Sequence, residues 1–571
     1  MPEKDMFLVL LETSGNQAYI FSTNKLRDVV GASELTHRVG TRFVEESVRE
    51  VFGRDFSVDQ LLQEPDIASE ASKGVEVVVA TSGKAVLLVQ GRDMARRLIS
   101  AWSRRVFLEA PGVDATGVVS SAPVDLQRAG DGEGSVAWAL RDAHEEFERA
   151  RALRTAPASR WMRLPVVAPC RDSGLPANAL WRGGEGVTPI SRSSLAKRQA
   201  AASEEFRERM GRLGGNLRGF SNPQEMEDRM EGLEWLGVIH ADGNGLGEIF
   251  LNFHSHVGEE VGKSFGRHYL DVYRRFSVEL DEACREAYKE TTARVFEKSS
   301  GRVPVVPVVV GGDDLTVILD GARALDFAAY FVRSFCRKTG KKGTISAVAH
   351  RARARLGAPR LGMAAGVAVV KPHFPFSSAY DFAEELMGGA KDAKKKASFA
   401  AGSIDFHIVY DSTVSSIREV RGPLHDSEIC RTAKPYVVEP VEAPIDAAWQ
   451  RDHDFRRFAN AVRALGAKNR DDQKPLLPPH QSHGTRANLF SESRETQERE
   501  WEILCRRYGE FAALWKGDDA TSGGGLFFET KDRDGQRVYA TVFLDAIEAL
   551  GFLDVGNWEE DEGRFGGGNR R

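Results

Sequence analysis

Two stretches of this chain repeat one pattern, and that repetition limits the fold more than any other feature. VLLETSGNQAYIF lies over VIHADGNGLGEIF without a gap, pairing Thr13 with Asp242. VVVATSGKAVLLV lies over VPVVVGGDDLTVIL, pairing Gly83 with Asp313 and Lys84 with Asp314. The separations agree to one residue, 70 positions from Thr13 to Gly83 and 71 from Asp242 to Asp313. In each half the first stretch reads as a strand entering a turn, and the second as a hairpin of β-branched residues about a glycine turn. Helical patterns follow each. The order strand, helix, hairpin, helix, strand is ferredoxin-like, and it occurs twice. The expected fold class is therefore α+β with a duplicated ferredoxin-like domain.

At 571 residues the chain is too long for one core. Its expected divisions are 1–120, the first copy; 121–230, helical and loop-like; 231–420, the second copy; and 421–571, a helical C-terminal region. Within the last, the polar stretch from Asn469 to Thr496 is expected to be mobile and the tail EEDEGRFGGGNRR disordered. Basic and acidic residues number 78 and 83, which argues against a surface that tracks nucleic acid throughout. A local basic loop from His350 to Arg360 reads either as a charged insertion, the commoner case, or as a contact for RNA or phosphates. Five scattered cysteines with no CxxC pair support neither a disulfide framework nor a zinc site, and suggest a reducing cytoplasm. No apolar run reaches the length that spans a bilayer, so no membrane association is expected.

Gly311-Gly312-Asp313-Asp314 places two acids at a hairpin turn. Read alone, this is a soluble surface turn. In a ferredoxin-like sheet, however, the first strand neighbours the hairpin, which sets Asp242 beside Asp313 and Asp314. Three carboxylates so close repel, and hard oxygen ligands in a partly hydrated site suit Mg²⁺ or Mn²⁺. Two such ions can activate a sugar hydroxyl and clamp a triphosphate for in-line displacement. The metal candidates are thus Asp242, Asp313 and Asp314. Around them, Gly243, Asn244, Gly245, Gly247, Gly311 and Gly312 are the backbone positions expected to approach phosphate oxygens. A calcium loop is rejected, because Leu246 and Phe253 stand where ligands belong. Lys371, His373 and Lys391 are the cations expected at the triphosphate tail. Lys394, Lys395 and Lys396 read as a solvated helix face.

With these residues in place, the second copy resembles the active palm domain of the large, polymerase-like subunit of type III CRISPR effector complexes. The resemblance rests on Gly311 to Asp314, on Asp242 at the end of the palm's first strand, and on the loop KPHFP. It rests also on Glu385-Leu386-Met387-Gly388-Gly389-Ala390-Lys391 for the ELxxxAK pattern, and on SIDFHIV from Ser403 to Val409. It implies two palms, one of them degenerate, followed by a C-terminal helical domain, and the overlay above makes the first copy, read as having lost every acid, the degenerate one. It also implies synthesis of cyclic oligoadenylates or another cyclic nucleotide from ATP or another NTP with two Mg²⁺ or Mn²⁺ ions. The implied partners are RNA or a CRISPR-type ribonucleoprotein complex, with self-association as a further mode. The family's HD nuclease is not read here, since His425-Asp426 and His453-Asp454 lack supporting ligands. Cys170-Arg171-Asp172-Ser173-Gly174 resembles a zinc knuckle with its second cysteine replaced, which suggests a stand-alone homologue. The region after Arg421 is expected to carry an activating signal to the palms. The rivals are a template-directed polymerase, for which no fingers-like insertion is read, and a non-catalytic nucleotide- or RNA-binding scaffold.

Overall fold

The computed structural model describes residues 5–554 apart from 56, 59, 61–73, 156, 184–185, 214–229, 231, 259, 261, 263, 298–303, 411–415, 427, 518–523 and 532–534. The C-terminal tail and part of the 121–230 segment lie outside the described residues. The first sheet is built from β1 (Met6–Ser14), β2 (Val75–Thr81), β3 (Lys84–Gln90) and β4 (Asp114–Val119), in the order β2-β3-β1-β4. Between β1 and β2 run α1 (Leu26–Gly40) and α2 (Arg42–Phe52), and between β3 and β4 runs α3 (Arg92–Glu109). The indole N–H of buried Trp102 on α3 donates to Val39 O on α1 at 2.8 Å and ties these two helices together. A further helix, α4 (Val136–Ala152), packs on β4 and β1, so the first unit runs past the limit expected at residue 120.

The 121–230 segment is not simply helical. It also contains the hairpin β5 (Ala177–Gly183) and β6 (Gly186–Ser191). The second sheet uses β7 (Leu236–Asn244), β8 (Val305–Gly311), β9 (Asp314–Asp320), β10 (Gly362–Val370) and β11 (Gly402–Ile408). Its helices are α5 (Phe265–Val295), α6 (Ala324–Lys341) and α7 (Phe376–Ala390). The order begins β8-β9-β7-β10-β11, so its first four strands repeat the order of the first sheet. The outermost strand, β13 (Tyr436–Glu439), comes from beyond residue 420 and pairs antiparallel with β11. The division expected at 420 thus cuts a hydrogen-bonded sheet.

The C-terminal region is also less helical than its pattern predicts. β12 (Ile429–Cys430), β14 (Phe528–Lys531) and β15 (Arg537–Ala540) form a small sheet of their own. The stretch from Asn469 to Thr496, expected to be mobile, holds the helix Pro479–Ser491 and buries Leu477 and Leu489. Two apolar anchors suffice to pack a polar segment when they meet an existing core. The basic stretch at His350 is likewise helix rather than loop, over Gly343–Arg351 and Arg353–Leu356. The two HD dipeptides take part in local structure. His453 stacks on Trp449 at 4.1 Å between ring centroids, and Asp454 caps Phe455–Gly466. Asp426 accepts from the amides of its own turn.

α5 joins the two units. Arg267 and Arg274 on this helix both bind the carboxylate of Glu76, a fully buried acid on β2, and Asp271 completes the cluster. Burying an unpaired guanidinium costs far more than an exposed pair returns. Glu76→Ala is therefore expected to lower stability by about 3 kcal/mol, with Asp271 offsetting part of the loss. Equilibrium urea unfolding checks this, and a loss below about 0.5 kcal/mol would show that the cluster does not hold the units together.

Candidate active site

The strand register fixes the geometry of the acids. Asp242, near the end of β7, lies directly opposite Asp314, the first residue of β9. Asp313 occupies the intervening turn, and its carbonyl accepts from the Gly243 N–H at 3.1 Å. A Cβ on Gly243 would stand 2.8 Å from that of Asp313, so glycine is what lets the two backbones meet. Lys391, just past the end of α7, donates to Asp242. His240, one turn of the pleat before Asp242, donates or accepts at Thr316 Oγ1 and lies 3.6 Å from Asp314. The inner oxygen of Asp314 is buried with no hydrogen-bond partner.

Burial first, and then the charge of Asp242, push both Asp313 and Asp314 up to about 7. A carboxyl raised in the folded state binds its proton more tightly there than in the unfolded chain. Stability from these groups is then greatest at low pH and declines as pH rises from about 4 to about 7. A divalent cation that neutralises the cluster removes that decline. Thermal melts of the metal-free protein across this window, with and without Mg²⁺, test it. A profile unchanged by the ion would count against metal binding here.

The structure separates the other expected contacts. Lys371 and His373 follow β10, which runs antiparallel to β7, with Ala364 opposite Asp242 and Val370 opposite Leu236. Seven residues of strand from Ala364 to Lys371 span about 23 Å, so these two residues sit at the opposite end of the sheet from the acids. There Lys371 lies over the Trp235 ring at 3.6 Å. Following a strand in sequence gave no direction for it, and that is why the expectation failed. Asn244 is buried, its amide donating to Ala401 O at 3.1 Å. Gly245 adopts φ 77° and starts the short helix Leu246–Leu251, with Gly247 in open space. Lys394 lies over Phe399 and Lys395 pairs with Asp392, away from the acids.

The pairing between copies also shifts by one residue. β1, β2 and β3 each precede β7, β8 and β9 by 230 positions, and the bulges at Val77/Val79 and Pro307/Val309 keep the same offset. The counterpart of Asp242 is therefore Glu12, not Thr13, and an acid survives in the first copy. Glu12 opposes Lys84 in the sheet, as Asp242 opposes Asp314, and the Lys84 ammonium sits 3.1 Å from Glu12 and 3.0 Å from His144 Nε2. A slip of one residue turns a side chain to the other face, which is why sequence overlay alone misplaced it. The usable signal was Gly15 over Gly245, both left-handed at φ 62° and 77°. Glu384 on α7, whose charge reaches Asp314, also escaped sequence reading.

Glu12, Lys84, Asp313, Asp314 and Tyr380 line one cavity of about 340 Å³, in which the turns of the two units face each other. The donor set suits a divalent ion: three carboxylates on neighbouring positions, and one buried oxygen without a donor. Asp242 must first exchange its bond to Lys391, and among the described residues no three acidic, histidine or cysteine groups form a finished cage. At the knuckle, Ser173 Oγ lies 3.0 Å from Ser191 Oγ and Cys170 Sγ 3.7 Å from Ser194 Oγ. Hydroxyls stand there where a zinc site needs thiolates.

Residues 235–400 match the family model described as Cas10/Cmr2, second palm domain. This chain carries a Cas10/Cmr2-type palm. The matched residues run from Trp235 before β7 to Ala400 before β11 and include Asp242, Asp313 and Asp314. Solved structures that resemble the chain include the apo Csm1-Csm4 cassette, at 16% identity over 68% of this chain and 53% of that one, TM-score 0.38. The Csm1-Csm4 cassette in complex with pppApA gives 14% identity over 88% and 65%, TM-score 0.48. Csm1 in T.onnurineus gives 14% over 96% and 69%, TM-score 0.49. The chain thus spans less than two thirds of the length of the first two. A search of curated proteins found no match. Among the described residues, no helix is long and apolar enough to cross a membrane.

Proposed function

We propose that this chain is a nucleotidyltransferase that joins ATP, or another NTP, into a cyclic oligoadenylate-like or other cyclic nucleotide. The observation that carries this reading is the opposition of Asp242 and Asp314, with Asp313 at the turn, on a Cas10/Cmr2-type palm whose cavity is shared with the first unit. Structures similar to this one hold AMPPNP, pppApA, cA4 and cA3 in Csm1-Csm4 cassettes. In the proposed reaction a ribose hydroxyl attacks an α-phosphorus, the new phosphodiester forms and pyrophosphate leaves.

Asp242, Asp313 and Asp314 would hold two Mg²⁺ or Mn²⁺ ions, which when bound lower the hydroxyl's pKa and neutralise the phosphates. Lys391, released from Asp242, would pair with the triphosphate as a point charge. The first unit is read as a degenerate palm. With Lys84 in place of Asp314 and Gly83 in place of Asp313, it carries a fixed cation where the second unit carries metal ligands. RNA or a CRISPR-type ribonucleoprotein is the proposed activator. Incubation of the purified chain with each NTP and Mg²⁺ or Mn²⁺, with and without RNA, followed by mass spectrometry of the products, tests the assignment. Unchanged NTPs under every condition would refute it.

A further inference from the structure

The two glycines of the Gly311–Asp314 turn serve different ends. Gly312 adopts φ 61°, the left-handed value required at the first position of a two-residue hairpin loop of this kind. Gly311 has no such backbone demand. A Cβ built on it would stand 2.6 Å from Oδ1 of Asp281, a residue of α5. That same oxygen accepts from the Gly312 N–H at 3.1 Å, while Oδ2 pairs with Arg285 at 2.8 Å. Gly311 is thus the gap through which a carboxylate on a neighbouring helix reaches the turn. One turn on, Cys284 Sγ lies 3.7 Å from Asp314 O.

In the first copy the turn is tied differently, by Thr13, whose Oγ1 donates to Gly83 O at 3.1 Å. That turn places the left-handed residue second, at Gly83 with φ 72°, and meets the backbone of α1 at Gly40, where a Cβ would stand 1.9 Å from Thr81 O. Replacing the counterpart of Gly83 by Asp313 moves the left-handed position to Gly312. The second turn is then held from behind by an acid, in addition to the backbone bond from Gly243 N–H to Asp313 O.

From this we infer that Asp281 is a positioning residue, which holds the turn so that Asp313 and Asp314 stand in reactive geometry; the inference rests on the nucleotidyltransferase reading above. The tether also links the turn to the interface between units. Asp281 lies seven residues along α5 from Arg274, about 10 Å of helix, and Arg274 grips Glu76 of the first unit. A shift of the first unit along α5 therefore moves the group that holds the catalytic turn.

The test uses the full chain and two readouts. Hydrogen exchange of the peptide containing Gly312 reports the tether without any need for activity, and turnover reports its consequence. Asp281→Ala is expected to speed exchange at this amide by about tenfold or more, the effect of losing a hydrogen bond to a charged group. Turnover should fall by a similar factor with the nucleotide KM unchanged. Asp281→Asn keeps an oxygen acceptor and should restore most of both. Gly311→Ala should mimic Asp281→Ala, and the double variant should be no worse than either alone, since removing the carboxylate makes room for the methyl.

Native exchange at Gly312 in folded Asp281→Ala overturns the inference. Faster exchange with turnover within about twofold of native also overturns it, because the turn would then be held without consequence. Additive losses in the double variant would show that Gly311 and Asp281 do not share one contact. If the native chain turns over no nucleotide at all while exchange rises as expected, the tether stands and the proposed function falls.

Discussion

Asp313→Asn is expected to abolish turnover while leaving the protein folded. The substitution keeps the volume of the side chain and the carbonyl that accepts from the Gly243 N–H, so the β7–β9 junction survives. It removes one of three charges that repel one another, and burial with those neighbours is what lifts Asp313 to about 7. Stability should therefore hold or rise slightly. Activity should not. If two ions are held by these carboxylates, losing one ligand costs several powers of ten in rate, at about 1.4 kcal/mol for each. Steady-state assays beside thermal melts separate the two effects. Native turnover in the folded variant, with any NTP that the native protein accepts, removes Asp313 from the chemistry.

Deleting residues from 421 onward is expected to destroy the second unit, not merely to detach a regulatory region. The deletion removes Arg421, which makes two hydrogen bonds at 2.8 Å to buried Asp405 on β11. An acid left buried without its partner costs about 3–5 kcal/mol. The deletion also strips β13 from the sheet and uncovers Phe406, which packs against Tyr436 and Phe458 with ring centroids 6.5 and 5.3 Å away. Together these losses approach the entire stability of an ordinary domain, about 5–15 kcal/mol. The truncated chain should aggregate or melt without cooperativity. A cooperative melt within a few degrees of the full chain's would restore the view of this region as a separable module. Any signal that it carries must act through the shared sheet, so point substitutions on its outer surface are the better probe of regulation.

How much of this was legible beforehand differs by element. The acids Asp242, Asp313 and Asp314 and the repeated strand and hairpin pattern could be read from the chain, because turn chemistry and β-branched runs are local signals. Lys391 was also legible, as the one cation of its cluster that the motif spacing marked. Lys371 and His373 were not, because a residue at the end of a strand lies at either edge of the sheet according to the direction of its neighbours.

The overlay of the two copies was right in kind and wrong by one position. β1 is a continuous apolar run from Met6 to Leu11, so it can be laid on the apolar start of β7 in adjacent registers, and in sequence only the match of Gly15 to Gly245 separates them. Hydrogen bonding does. Only the pairing of Glu12 with Lys84 and of Asp242 with Asp314 shows that the first copy keeps an acid and sets a lysine against it. Asp281 and Glu76 were beyond reach for a related reason: each is a single acid on an unremarkable helix or strand, and its meaning comes from a partner far away in the chain. The sequence by itself determined which residues carry charge to a turn and that the pattern occurs twice. Only the tertiary structure decided which charges meet, because register, strand direction and the reach of α5 are set by packing between segments that local propensity does not connect.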